Sequence, residues 1–186
     1  TSPVNFTNFV FNEGVPCVNR TNGSVNIISG DITGAVTYAN ALTSTPVPYT
    51  TLNGAGSVPV TGQSDLTGAY TLSGFGSGAY TVTPSKTGDV NVITSFDSAR
   101  IAQHVVSLIS LNSTQLLAAD VSNNGSVSSF DAAQIAQYVV SIPNASITGT
   151  WKFLPANRVY ANVDTNQTNQ DYSAILMGEV SGNWVP

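Results

Sequence analysis

The sequence predicts a mainly β protein: an antiparallel β-sandwich interrupted by a small helical insert. Three observations predict it. Short runs rich in Val, Thr and Tyr, separated by Gly, Pro and Ser, fill the chain from Ile27 to Thr83 and return after Thr148, which is the spacing of a small antiparallel sandwich. Between these regions apolar residues recur at helical spacing. The helical region also contains a duplicated stretch. Ser95 to Ser107 reads SFDSARIAQHVVS and Ser129 to Ser141 reads SFDAAQIAQYVVS, identical at ten of thirteen positions with an offset of 34 residues.

The elements follow in order. Residues 1–26 form an N-terminal extension whose first part is β-prone through Val4, Phe6, Phe9 and Phe11. Ile32, Val36 and Tyr38 mark a strand, and Tyr49 and Leu52 mark another. Ala69 to Leu72 and Ala79 to Val82 are expected to be two strands joined by a tight hairpin connection through Gly74 to Gly78. In the insert, Ile101, Ala102, Val105, Val106 and Ile109 give one helical stripe, and Ile135, Ala136, Val139 and Val140 give its counterpart. Thr114 to Ala119 predicts a short joining helix, and Pro143 is expected to end the second long one. β-type patterns return at Thr148 to Phe153, Arg158 to Val163 and Tyr172 to Val180. The expected organisation is therefore an extension over 1–26, a sandwich over 27–87 and 144–186, and an insert over 88–143.

Composition excludes some functions. A chain of 186 residues buries a core without disulfide staples. Charged residues make up only 8% of it, against roughly 25% in an ordinary globular protein, so Asn, Ser, Thr and Gly must build the surface. Such a surface is permissive of self-association. The five Lys and Arg are scattered, which disfavours nucleic-acid binding. No stretch is long and apolar enough to span a membrane. Cys17 is the single cysteine; it reads as a small buried hydrophobe, with an intermolecular bond as the alternative. Seven Asn-x-Ser/Thr sequons, at Asn5, Asn19, Asn22, Asn112, Asn124, Asn144 and Asn166, suggest an exported glycoprotein. The start at Thr1, without an initiator Met or signal peptide, fits a mature processed form and equally a trimmed one.

The loops before the two repeats carry the chemistry. Calcium takes six to eight oxygen ligands from a loop with oxygen side chains at alternate positions and a carboxylate at the twelfth. Asp120 to Asp131 meets this requirement, with Asp120, Ser122 and Asn124 at one, three and five, Gly125 at the sharp turn, the Ser126 carbonyl at seven and Asp131 at twelve. The first loop, Asp89 to Asp97, is shorter by three residues; Asp89, Asn91 and Asp97 match positions one, three and twelve, and the middle is missing. Gly178 to Asn183 resembles the first half of such a loop, with Glu179, Ser181 and Asn183 at one, three and five. Two readings stand: a plain terminal turn, or a tail that folds back to complete the first loop, with Glu179 as a further ligand.

Gly88 to Asn91 and Asp120 to Asp131, with the helices behind them, resemble dockerin type I repeats, which are EF-hand-like. The resemblance implies Ca2+ as the bound ion and a cohesin module as the partner. The flanking run from Asp65 to Lys86, with Trp151 to Pro155 and Gln170 to Ala174, resembles the carboxypeptidase-regulatory-like sandwich of collagen-adhesin B-type repeats.

Catalytic machinery is not expected. His104, the only histidine, has Tyr138 as its counterpart in the second repeat, so the position takes a bulky amphipathic side chain. No Gly-x-Ser-x-Gly elbow, zinc cluster or phosphate loop occurs. The first expectation is an extracellular or cell-surface calcium-binding structural protein that polymerises, with Val4, Phe6, Phe9 and Phe11 donated as a strand to a neighbouring copy. The alternatives are an adaptor that binds a cohesin-type protein through faces around Arg100, Gln103, Gln134 and Gln137, and a carbohydrate-binding module using Trp151, Trp184 or Tyr160.

Overall fold

The computed structural model describes residues 2–4, 23–25, 29–41 and 43–186. Its elements are β1 (Ser2–Val4), β2 (Gly23–Val25), β3 (Ile32–Tyr38), β4 (Thr45–Pro46), β5 (Thr51–Ala55), β6 (Val60–Gln63), β7 (Ala69–Leu72), β8 (Tyr80–Ser85), α1 (Ser95–Val105), α2 (Ser113–Ala119), α3 (Ser129–Val139), β9 (Trp151–Leu154), β10 (Arg158–Tyr160) and β11 (Tyr172–Leu176). Of the expected N-terminal strand, Val4 ends β1, while Phe6, Phe9 and Phe11 lie outside the described residues, as does Cys17.

One sheet has the order β10-β8-β5-β6, all antiparallel. The other has the order β4-β3-β11-β9, with β7 also paired to β3. Leu52, Tyr80 and Val82 from the first and Ile32, Val36 and Leu72 from the second join one core. β1 and β2 pair with each other in a separate two-stranded sheet.

Several expectations need correcting. The sandwich is not wholly antiparallel: β3 and β11 run parallel, with Tyr172 opposite Val36 and Ala174 opposite Tyr38. A parallel pair needs a long crossover, and the chain between these strands, helical insert included, provides one. β7 and β8 do not form a hairpin, because β7 pairs with β3 and β8 with β5, in different sheets. The glycine-rich link passes between the sheets, since buried Phe75 packs edge-on against Tyr80 at 4.8 Å. Tyr49 stands in a turn at φ 57, and its strand begins at Thr51. Finally, Pro143 does not end α3. Ser141 N bonds Tyr138 O and Ile142 N bonds Gln137 O, at 2.9 and 2.8 Å, with Ser141 at φ 58. Ser107 and Leu108 repeat the pattern after α1. This is a Schellman stop with Ser in the left-handed position, so the last residue of each repeat is what ends its helix.

The helices belong to the same core. Ile101 and Ile135, equivalent in the two repeats, are both fully buried, and Ser98 Oγ donates to Ala132 O across the pair at 2.7 Å. Ala118 and Ala119 of α2 pack in one cluster with Ile175, Leu176 and Met177. The two indole N–H groups fasten the start of the insert. Trp151 Nε1 donates to Gly88 O at 2.9 Å and Trp184 Nε1 to Asp89 O at 3.0 Å.

Burial pushes the phenols of Tyr38, Tyr70 and Tyr172 well above the ordinary tyrosine range. A raised folded-state value means that stability is complete below the unfolded value, about pH 10, and falls as pH rises beyond it. Unfolding midpoints in urea should therefore drop steeply above about pH 10. A flat midpoint through that range would contradict the burial.

Candidate metal centre

Asp120 to Asp131 closes as a loop between α2 and α3. Asp120 Oδ1 accepts from Asn124 N at 3.1 Å and Ser122 Oγ at 3.3 Å, and Oδ2 accepts from Gly125 N at 2.9 Å. Gly125 turns at φ +86 and Asn123 at φ 55. Asp131 is the N3 residue of a capping box: its Oδ2 accepts from Ser128 N at 2.9 Å and Ser128 Oγ at 3.1 Å. Its Oδ1 accepts from Ser122 N at 3.0 Å. Ser122 thus bonds both carboxylates, one through Oγ and one through N, so the loop brings position one and position twelve to the same residue. Among the described residues, no three acidic, His or Cys side chains gather at one point. The donor set is two carboxylates with the neutral oxygens of Ser122, Asn124 and Ser126, all hard ligands suited to calcium.

The first loop is arranged differently. Asp89, Asn91 and Asp97 make no hydrogen bond to one another, and each has different surroundings. The Asp89 carboxylate pairs with Lys86 Nζ at 2.7 Å and is half exposed. Asn91 is exposed, while Asp97 is fully buried. Asp97 caps α1 as Asp131 caps α3, with Oδ2 accepting from Thr94 N at 2.9 Å and Thr94 Oγ1 at 3.3 Å. Its Oδ1 accepts from Val180 N and Ser181 N, each at 2.9 Å. The tail does fold back onto α1. Glu179 is fully buried. Its Oε1 accepts from Ser181 Oγ at 2.5 Å, Gly182 N at 2.6 Å and Asn183 N at 3.2 Å. Its Oε2 accepts from Tyr38 OH and, at 3.2 Å, from Asn40 Nδ2. Burial and the adjacent Glu179 carboxylate hold the Tyr38 proton in place. Gly182 turns at φ +78, where an added Cβ would lie 2.6 Å from Asn40 O.

Tyr38 and Asn40 are the site residues that sequence reasoning missed. Both lie some 140 positions before Glu179, with no spacing to connect them. The Thr94–Asp97 and Ser128–Asp131 capping boxes were readable from the three-residue spacing.

The remaining candidates divide. Gln134 is buried, so it is no part of an exposed helix face. Arg100 is half-buried and lies over the Phe96 ring at 5.9 Å. Gln103 and Gln137 are exposed. Exposed apolar side chains of the insert include Phe96 and Phe130, at 56% and 58% exposure, and Val106 and Val140, both at 64%. These are equivalent pairs of the repeat. Trp184 is buried against Tyr38 and Trp151 at 5.0 and 5.2 Å, so it offers no platform for a sugar. Trp151 and Tyr160 are half-buried, and the Tyr160 hydroxyl bonds Gln170 Oε1. Of the sequons, Asn112, Asn124 and Asn166 are exposed, while half-buried Asn144 donates its Nδ2 to Gln134 O at 2.9 Å. Asn5, Asn19 and Asn22 lie outside the described residues. His104 sits by the backbone of Ile109 and Leu111, with Nδ1 at 3.4 Å from each.

Residues 87–140 match the family model of the Dockerin type I domain. The match supports a calcium-binding unit, and it spans both helical repeats but not the tail that packs on α1. No curated protein and no solved structure matches the chain. No helix among the described residues is long and apolar enough to cross a membrane.

Proposed function

We propose that this chain is a non-catalytic calcium-binding structural module of the extracellular space, and that copies of it join through the N-terminal segment. The observation that carries the structural role is the junction between helices and sandwich. Asp97 holds Val180 N and Ser181 N, and Glu179 holds Tyr38 and Asn40, so stiffening the helix pair stiffens the whole body. Calcium held by Asp120, Ser122, Asn124, the Ser126 carbonyl and Asp131 supplies that stiffening. The separate pairing of β1 with β2, outside both sandwich sheets, supports a segment available to a neighbour's sheet edge, where main-chain hydrogen bonds give affinity. Such head-to-tail addition yields a filament when its rotation does not close. Deleting residues 1–12 should abolish assembly seen by electron microscopy and light scattering. Equal assembly by the shortened chain would refute strand donation.

A second reading has its own observation. The twin exposure of Phe96 with Phe130 and Val106 with Val140 supports a partner protein docked on the helices, as the dockerin match suggests through cohesin-type modules. Calcium-dependent capture by such a module, lost on chelation, would favour it. A clean monomer with no such capture counts against both readings.

A further inference from the structure

The dockerin-like pair implies two calcium sites, and the donor sets of the two halves differ. Resting on the calcium reading of the 120–131 loop, we propose that the α1 half holds no metal. A hydrogen-bond cage built by the tail and the sandwich replaces the cation there, so the chain binds one calcium ion.

The tail stands to Asp97 as the start of the other loop stands to Asp131. Glu179-Val-Ser-Gly-Asn183 takes the place of Asp120-Val-Ser-Asn-Asn124. Val180 and Val121 are both fully buried, and Gly182 and Asn123 both have positive φ. Ser181 N and Ser122 N both reach the capping aspartate. The half-loop missing from the first repeat is thus supplied from the far end of the sandwich.

Its chemistry is nevertheless not that of a cation site. A carboxylate offers about four lone-pair positions. Glu179 already accepts from Tyr38 OH, Asn40 Nδ2, Ser181 Oγ, Gly182 N and Asn183 N. Asp97 accepts from Val180 N, Ser181 N, Thr94 N and Thr94 Oγ1. Each of the four carboxylate oxygens of the two groups has at least two donors within hydrogen-bond distance. In the other loop Asp131 Oδ1 accepts from Ser122 N alone, and Asp120 Oδ2 from Gly125 N alone, which leaves acceptor capacity for a metal. The extra methylene of Glu over Asp explains the difference, because it lets the carboxylate reach past its own turn to Tyr38 and Asn40. One buried oxygen nearby, Asn40 Oδ1, has no partner. A single neutral oxygen is far short of the six to eight that calcium takes, and the nitrogen of the same amide is one of the groups filling Glu179.

Two measurements on the full chain test this. Calcium titration should give one ion per chain, none after Asp120→Ala, and one with unchanged affinity after Asn183→Ala, which removes an exposed side chain at the tail's position five. Two ions in the wild type, one of them lost in Asn183→Ala, would overturn the proposal. Amide hydrogen exchange tests the cage independently. Val180 and Ser181 N–H should stay protected in chelator, while Asn124 and Gly125 N–H lose protection. Loss of protection at Val180 and Ser181 on chelation, restored by calcium, would also overturn it. No bound calcium in the wild type, with Val180 and Ser181 still protected, would leave the cage standing and refute the reading of the 120–131 loop.

Discussion

Replacing Glu179 with Ala should lower stability by about 3–5 kcal/mol, because several donors at one buried site lose their acceptor together. The substitution leaves Tyr38 OH, Asn40 Nδ2 and the amides of Gly182 and Asn183 without their acceptor. Each such buried group costs about 1–3 kcal/mol when stranded, and the costs overlap because the groups share one site. At about 2–4 °C per kcal/mol for a chain of this size, the midpoint should fall by about 6–20 °C. Glu179→Gln should lose less, since its amide keeps one acceptor oxygen but turns an NH2 toward other donors. Asp89→Ala is the comparison. Its carboxylate is half exposed, and removing it leaves the nearly buried Lys86 ammonium with Pro48 O and the Trp151 ring as partners, so it should cost less than Glu179→Ala. Thermal and urea unfolding of the three variants would settle the order. Equal losses in Glu179→Ala and Asp89→Ala would show that the cage contributes nothing.

Removing calcium should produce the second large effect. An ion that binds only the folded chain stabilises it by about 4 kcal/mol when present at about a thousand times its dissociation constant. For a chain of this length that corresponds to a midpoint about 8–16 °C lower in chelator. The reason is local: without the cation, the carboxylates of Asp120 and Asp131 both face Ser122 with no positive charge between them. Excess calcium should restore the midpoint. Magnesium should do so poorly, because it demands a tighter octahedral site and sheds water reluctantly. Identical melting curves in calcium and in chelator would end the metal reading.

Periodicity revealed what depends on neighbours in sequence. The helices, the 120–131 loop and most strands were readable because their patterns repeat within a dozen residues. The likeness of Glu179 to Asn183 to a half-loop was also readable, since five residues carry it. What escaped were relations between distant segments. Nothing in AYTL and AYTV shows that the two strands belong to different sheets, one paired with β3 and the other with β5. Nothing around Tyr38 announces a carboxylate 141 residues away. Gln134 looked like a surface residue from its chemistry, and its packing buries it. The parallel register of β3 and β11 was hidden for the same reason, because it joins strands on opposite sides of the insert.

The tail's hold on Asp97 also imposes a timetable. The contact joins residues 83 and 84 positions apart, with α2, α3, β9, β10 and β11 made in between. A ribosome delivering this chain finishes the 120–131 loop long before it delivers Val180. The calcium half can therefore mature early from local contacts, while one oxygen of Asp97 waits for the distant tail to arrive. Cutting out residues 87–140 as a portable cassette would strand the first repeat at that waiting stage.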